Sequence, residues 1–464
     1  MNSDQLFPKR AKLALLLILI VAFAARGLLL AATWRSQNAI VGDSHSYLVP
    51  AESFASEGTF RSLGLPEIFR TPGYPLFLVF CWLSGPLSFG FAQIVQVLLS
   101  VATVYLTYSL AKQLVARAAA LCAAVLQAVS VVSIAICPLI VTECLYTFLF
   151  VAAFYLLVRH LRDEGDVRFL IGSALLAAIG TYVKPVGMIW IPIVIFVLLA
   201  RPRRLRNIGV FVIVFCLSVA PWYVRNASET GYRGFSTVGD FNWLFYEAAG
   251  VWARTHGISI VDAQSDLNVR YRREIAARNL KSSLLPAKQE PFDVNAERNP
   301  GAIALEREMA NGIILTHLPL FVKVHLLTSL GSLLPASNLL LEMLGMTSRS
   351  TGTLNVLQQR GLLAAWNWYF RANGGAVFLV LPELAVMTIQ YGGVLLVVWA
   401  WFRTRTHPSV AIVLLFVLTF AAFILVGGPA STARMRMPVE PLLNIAAGGG
   451  IIWLLNTHLK SSTK

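Results

Sequence analysis

The feature that most constrains this chain is a series of apolar blocks almost free of charge. Leu13 to Leu30, Ile208 to Ala220, Val377 to Trp401, Val410 to Val426 and Leu442 to Leu455 all have this character. A bilayer span needs roughly 20 mostly apolar residues, since each helical residue rises about 1.5 Å through about 30 Å of hydrocarbon. The shorter blocks reach that length with their flanks. Backbone groups find no water there, so these segments must be helices that satisfy their own hydrogen bonds. Composition agrees, with 57% apolar and 13% charged residues, a charged share about half that of a soluble domain. A soluble globular fold is excluded.

The basic flank Lys9-Arg10-Ala11-Lys12 would suit a signal peptide. The apolar stretch behind it is longer than usual, and no small-x-small site closes it before Trp34-Arg35, so it reads as an uncleaved first span. Cys81, Cys122, Cys137, Cys144 and Cys216 form neither metal spacing nor a paired framework.

A net charge of +15 would suggest nucleic acid in a soluble protein. Here it follows from basic cytoplasmic loops: Lys9 to Lys12, Lys112 with Arg117, Arg159 to Arg168, Arg201 to Arg206, Arg403 to His407, and the terminal Lys460 and Lys464. Threading helices between these tracts puts both termini inside. Spans are expected at 91–111, 116–136, 141–158, 169–183, 186–200, 207–224, 383–402, 409–427 and 438–456, leaving 34–90 and most of 225–382 outside. Ile313 to Leu334 is either interfacial or pairs with a helix near 355–376. The expectation is an all-α polytopic membrane protein with about nine to thirteen transmembrane helices and short helices in its outside loops. Three regions follow: 1–224 with the first outside loop 34–90, a hydrophilic outside segment 225–312, and an interfacial and transmembrane region 313–464. No Gly-rich phosphate loop, CxxC pair or HExxH motif occurs.

The first outside loop carries GDSHSYLVPAESFASEG and then RTPGYPLFL. Asp43 lies just after the first span, and Tyr47 shares its face if the segment is helical. Its plain structural explanation is an N-cap. In Arg70-Thr71-Pro72-Gly73-Tyr74-Pro75 the prolines and glycine set an abrupt re-entry into the bilayer, with Arg70 and Tyr74 at head-group depth. Asn226-Ala227-Ser228 matches a glycosylation sequon. Trp366-Asn367-Trp368-Tyr369 looks like an aromatic interface anchor, and His317 and His325 like interfacial packing residues.

An acidic residue after the first span, a tyrosine four on and the RTPGYPLF entry resemble the GT-C membrane glycosyltransferases. The likeness is to the branch with protein O-mannosyltransferases, aminoarabinose transferases of lipid A and lipopolysaccharide-core galacturonosyltransferases. Val141-Thr142-Glu143 resembles that family's later acidic position, and Glu306 through His317-Leu318-Pro319 its A-x-x-x-I-x-x-x-P stretch. Ala433-Arg434-Met435-Arg436-Met437-Pro438 with Glu440-Pro441 is similar to its late A-R-Y-R-x-P-x-x-P motif.

The resemblance implies a GT-C-like fold and inverting transfer of a sugar from a polyprenyl phosphate to a glycan, lipid or protein acceptor. It also implies a bacterial inner membrane with the site facing the periplasm. Such a displacement needs a base on the acceptor hydroxyl and positive charge at the departing phosphate. Asp43 is the candidate base, which the family assigns to this first-loop acid. Tyr47, Tyr74 and Glu143 are candidates for substrate contact. Lys184 in Tyr182-Val183-Lys184-Pro185, with Arg434 and Arg436, lies in a tight outside connection, against the positive-inside tendency. A cation there snorkels or meets an anion, and a lipid phosphate would serve. Arg70 belongs to the same set. No organic cofactor is implied. A divalent metal stays open, because metal-dependent relatives carry paired acids where this chain has Asp43-Ser44-His45. The rival readings are a lipid or solute transporter or flippase, and a lipid-linked polysaccharide ligase or polymerase. A transporter would place its charges near mid-membrane in related repeats. A ligase would keep its catalytic Arg and His in a large outside loop.

Overall fold

The computed structural model of the protein describes residues 3–34, 39–82, 89–162, 166–284, 296–344, 353–371, 377–404 and 409–462. Parts of the expected tracts at Arg159 to Arg168 and Arg403 to His407, the side chains of Lys460, Lys464, Trp366 and Tyr369, and Arg35 lie outside the described residues.

The amino-terminal half runs through α1 (Ser3–Ala32), α2 (Ser44–Glu57), α3 (Gly73–Trp82), α4 (Phe89–Leu114), α5 (Arg117–Ala128), α6 (Val131–Ile136), α7 (Glu143–Arg162), α8 (Val167–Val183), α9 (Trp190–Leu199) and α10 (Arg204–Thr230). An outside unit follows in α11 (Val238–Asn242), α12 (Ala249–His256), α13 (Ile260–Ala277), α14 (Pro300–Thr316) and α15 (Leu318–Ser329). After α16 (Ser337–Met343) and α17 (Thr353–Arg371), the chain closes with α18 (Val377–Thr404), α19 (Val410–Leu425), α20 (Ala433–Arg436) and α21 (Glu440–Ser462). Among the described residues the β-structure is one two-residue hairpin, Arg61–Ser62 with Leu65–Pro66. The all-α polytopic expectation holds.

Among the described residues, five helices are long and apolar enough to cross a membrane, in α1, α4, α7, α10 and α18, and five shorter apolar helices accompany them. The expected count of spans therefore leans on short helices as well as long ones. The reason is local: the Lys184-Pro185 junction, for example, ends α8 and opens a 3₁₀ turn before α9, because proline supplies no N–H to continue the ladder. Ile313 to Leu334 forms no straight span. α14 and the helix from Leu318 to Leu333 are bent by 101° at His317, and α15 packs on α12 and on the turn after α19.

The outward face of α1 leaves Leu13, Leu16, Leu17 and Ile20 more than half exposed, a surface suited to hydrocarbon. Inside the bundle, Ala119, Ala120, Ala123 and Ala124 of α5 are almost fully buried and let α4 and α21 approach closely. Arg26, within the first apolar block, is fully buried. Its guanidinium donates to Ser100 Oγ at 2.8 Å and to the carbonyls of Ala128 and Gln127 at 2.9 and 3.2 Å. A cation among the last carbonyls of α5 meets the negative end of that helix and replaces its missing donors.

The outside unit has its own core, including Phe241, Phe245, Leu267, Tyr271, Leu305 and Ile314. It is tied to the first outside loop through the buried pair Glu67–Arg298 at 2.8 Å, and Arg225 donates to the Glu67 and Phe60 carbonyls. Both outside segments thus share one end of the bundle.

Two outcomes follow from this arrangement. In a cysteine-free background, Ser56→Cys and Ser265→Cys, at exposed positions, are expected to react with an impermeant maleimide from one side of the membrane, and exposed Arg203→Cys from the other. Labelling of all three from one side would overturn the topology. Arg26→Ala should lower stability by at least about 2 kcal/mol, read as a fall in melting temperature, because buried carbonyls lose their donors. An unchanged melting temperature would show that water or lipid replaces them.

Candidate active site

The loop after α1 turns into α2 through Ser44, whose N–H donates to the Val41 carbonyl at 2.8 Å and whose Oγ accepts from the Val41 N–H at 3.0 Å. Asp43 occupies the N-cap position but makes no side-chain cap bond. Its carboxylate turns outward and meets Arg70 Nη2 at 3.3 Å and Arg434 Nη2 at 2.9 Å. Simple capping therefore does not account for this acid. Ser46 Oγ accepts from Arg70 Nε at 2.8 Å, so the start of α2 holds Arg70 at two points.

Arg70 is fixed from behind as well. Glu67 Oε1 accepts the Phe69 and Arg70 N–H groups, and the guanidinium lies 4.5 Å from the Tyr47 ring centre and 4.6 Å from that of Phe69. It is a packed member of the site rather than a head-group anchor. Tyr47 is 6% exposed, and burial pushes its hydroxyl pKa up to about 12, so it stays a neutral donor. Tyr74 is fully buried, packs edge-on to Tyr47 at 5.2 Å and donates to Gln96 Oε1 at 2.9 Å. The first turn of α3 lies against α4, and Tyr74 packs behind Tyr47.

The RTPGYP entry brings α3 against the end of α8. A Cβ on Gly73 would lie 2.5 Å from the Tyr182 carbonyl carbon and 2.6 Å from Val183 N, so only glycine permits that approach. The next residue after Val183 is Lys184, whose Nζ reaches Glu143 Oε1 at 3.1 Å. The same oxygen accepts from Arg434 Nε at 3.1 Å and Nη2 at 2.8 Å. Arg434 thus bridges the two carboxylates. Burial opposes its charge, but Glu143 and then Asp43 outweigh that and raise its pKa.

Three cations, Arg70, Lys184 and Arg434, here face two carboxylates, leaving positive charge in excess. Exposure separates the acids: the Asp43 side chain is 33% exposed and that of Glu143 0%. Asp43 is partly open to solvent, whereas Glu143 is enclosed and accepts from Lys184 and Arg434. No group of three or more His, Cys, Asp or Glu side chains is placed to hold a metal among the described residues.

Arg436 does not join the cluster. It is 1% exposed, and its Nη1 donates to the Ser332 and Leu334 carbonyls and to Tyr391 Oη. The Asn226 sequon is buried, with its amide donating to the Gly234 and Phe235 carbonyls. His317 Nδ1 lies 3.1 Å from the Ile313 carbonyl, and His325 pairs with Glu247. Glu67 and Arg298 were not singled out in the sequence. The signal available was an acid three residues before Arg70, but its partner lies 231 residues away.

Residues 75–224 match the family model for dolichyl-phosphate-mannose-protein mannosyltransferase. No curated protein matches the sequence. Among solved structures, the chain is similar to the Archaeoglobus fulgidus oligosaccharyltransferase tethered to an acceptor peptide containing the NVT sequon. Identity is 12% and the TM-score 0.51, over 97% of this chain and 51% of that one. It is also similar to oligosaccharyltransferase AglB of that organism in complex with an inhibitory peptide and a dolichol-phosphate. There identity is 13% and the TM-score 0.50, again over 97% and 51%. The chain spans about half the length of these proteins. The family model matches the amino-terminal spans, and the chain shares the GT-C-like membrane fold of these oligosaccharyltransferases along nearly its whole length.

Proposed function

We propose that this protein transfers a sugar from a polyprenyl-phosphate donor to the hydroxyl of a glycan, lipid or protein acceptor, with inversion, at the periplasmic face of a bacterial inner membrane. The observation that carries this reading is the cluster of Arg70, Lys184 and Arg434 around an exposed Asp43. In the transfer, Asp43 accepts the acceptor proton, the acceptor oxygen bonds to the anomeric carbon, and the bond from that carbon to the phosphate oxygen breaks. The leaving lipid phosphate gains a negative charge in that step. Fixed cations therefore bind the departing group more strongly than the donor, which is the condition for lowering a barrier.

Paired with two guanidinium groups, Asp43 is a weak base. A donor phosphate at Arg434 competes with Asp43 for the same donors and frees the carboxylate, so basicity arises when the donor is in place. An apolar cavity of about 640 Å³ supports a lipid-linked donor. It lies between α19 and the α18–α21 pair and is lined by Val397, Trp401, Phe416, Phe420 and Leu442 among others. A polyprenyl chain matches that lining. The dolichol-phosphate of the archaeal oligosaccharyltransferase complex is a lipid phosphate of the same chemistry.

Membranes given labelled polyprenyl-phosphate sugars test the assignment. Asp43→Asn should lose about 10²–10⁴ in rate, as expected for removal of a general base, while still binding the lipid phosphate. Arg434→Ala should weaken that binding by about tenfold, the worth of a charged hydrogen bond. Normal transfer by Asp43→Asn would overturn the base, and normal lipid binding by Arg434→Ala would move the phosphate site elsewhere. Glu143→Gln should differ from both by costing stability of about 3 kcal/mol, because two half-buried cations lose their shared anion. A melting temperature equal to the parent's would contradict that role.

A further inference from the structure

Arg434 is placed by a connection with no charge of its own. After α19 the chain makes a 3₁₀ turn, Gly428–Ala430, then an extended Ser431-Thr432, and enters α20 with Arg434 in its first turn. That turn is held by the outside unit. Gly428 has φ +44°, and a Cβ on it would overlap the Glu247 carboxylate and lie 2.6 Å from His325 Nδ1. The two side chains thus occupy the space directly over the Gly428 backbone. They form one unit, with His325 Nδ1 3.0 Å from Glu247 Oε2.

The surroundings grip the same segment. Glu247 lies in a π-helical turn, Trp243–Ala248, and is 8% exposed. Such turns are rare, and they re-aim a side chain relative to a regular helix. A Cβ on Gly250 would lie 2.8 Å from Pro429 Cγ, so the turn nests against α12. Ser329 Oγ donates to the Leu425 carbonyl at 3.2 Å. None of these groups belongs to the charged cluster. Each acts on the backbone between Leu425 and Pro429, which leads on to Arg434.

We propose that Glu247 and His325 are positioning residues for Arg434: their hydrogen-bonded pair seats the Gly428–Ala430 turn and so sets how Arg434 reaches between Asp43 and Glu143. The inference rests on the reading of Arg434 as a phosphate-binding residue. It makes the outside unit a part of the donor site through the backbone it seats rather than through its own charges.

The test uses the full-length protein in detergent micelles and its dissociation constant for undecaprenyl phosphate. Glu247→Ala should weaken binding by about fivefold, a coupling of the size found between linked residues. Glu247→Gln should bind like the parent, because the amide oxygen still accepts from His325. In an Arg434→Ala background, Glu247→Ala should add no further loss, since its effect passes through Arg434. Should Glu247→Ala fail to fold, His325→Phe breaks the pair while keeping a ring of similar shape, and the same dependence on Arg434 is expected. Equal losses in both backgrounds, or a Gln variant as weak as Ala, would overturn the inference. Normal binding by Arg434→Ala alone would instead overturn the phosphate reading on which it stands.

Discussion

The interaction on which the rest depends is the Arg434 guanidinium held between Asp43 and Glu143. It joins the first outside loop, the start of α7 and the short α20, and through Glu143 it also secures Lys184 at the end of α8. Charges this far from water attract strongly, yet each would be costly alone. The cluster is therefore stable as a set and sensitive to the arrival of another anion. A phosphate entering it exchanges one ionic partner for another rather than meeting bare cations.

Elsewhere the bundle treats buried polarity differently. Arg26 spends its donors on helix-end carbonyls, and Glu383 accepts the Ala336 and Ser337 N–H groups and the Ser337 hydroxyl. Glu440 accepts from Ser130 Oγ at 2.6 Å and from Gln390 at 3.2 Å, and Gln390 continues to Asn444 and Gln127. These groups are satisfied by fixed neighbours in the fold, which ties α5, α18 and α21 in one register. Polar groups in the low-dielectric interior specify a structure when their partners are complete. The charged cluster differs because one of its acids, Asp43, is partly exposed.

Much of this was legible along the chain. Apolar blocks and basic tracts gave the membrane class and the common side of both outside segments. Lys184 and Arg434 stood out because charge at the outer edge of a span needs a reason, and Asp43, Arg70 and Glu143 because their motifs resemble those of GT-C transferases. The fold brings all five together. Arg436 shows where that reasoning stops. It lies two residues from Arg434, and at about 100° per helical residue the two side chains leave α20 in different directions. One points to the carboxylates and the other to the carbonyls of Ser332 and Leu334. Tyr74 meets the same limit, since its motif set the sharp entry of α3 but not which face of that helix α4 covers.

By itself, then, the sequence determined a polytopic helical membrane protein, the common end at which its two long hydrophilic segments lie and several of the residues that carry unusual charge there. Those properties follow from hydrophobicity and charge counted along the chain, because hydrocarbon excludes charge and unpaired backbone wherever they fall. Tertiary structure alone decided which charges meet, that Asp43 is open while Glu143 is sealed, and that Glu67 with Arg298 and Glu247 with His325 brace the site from the outside unit. Such pairings depend on helix rotation and on contacts between segments far apart in sequence, and a linear pattern encodes neither.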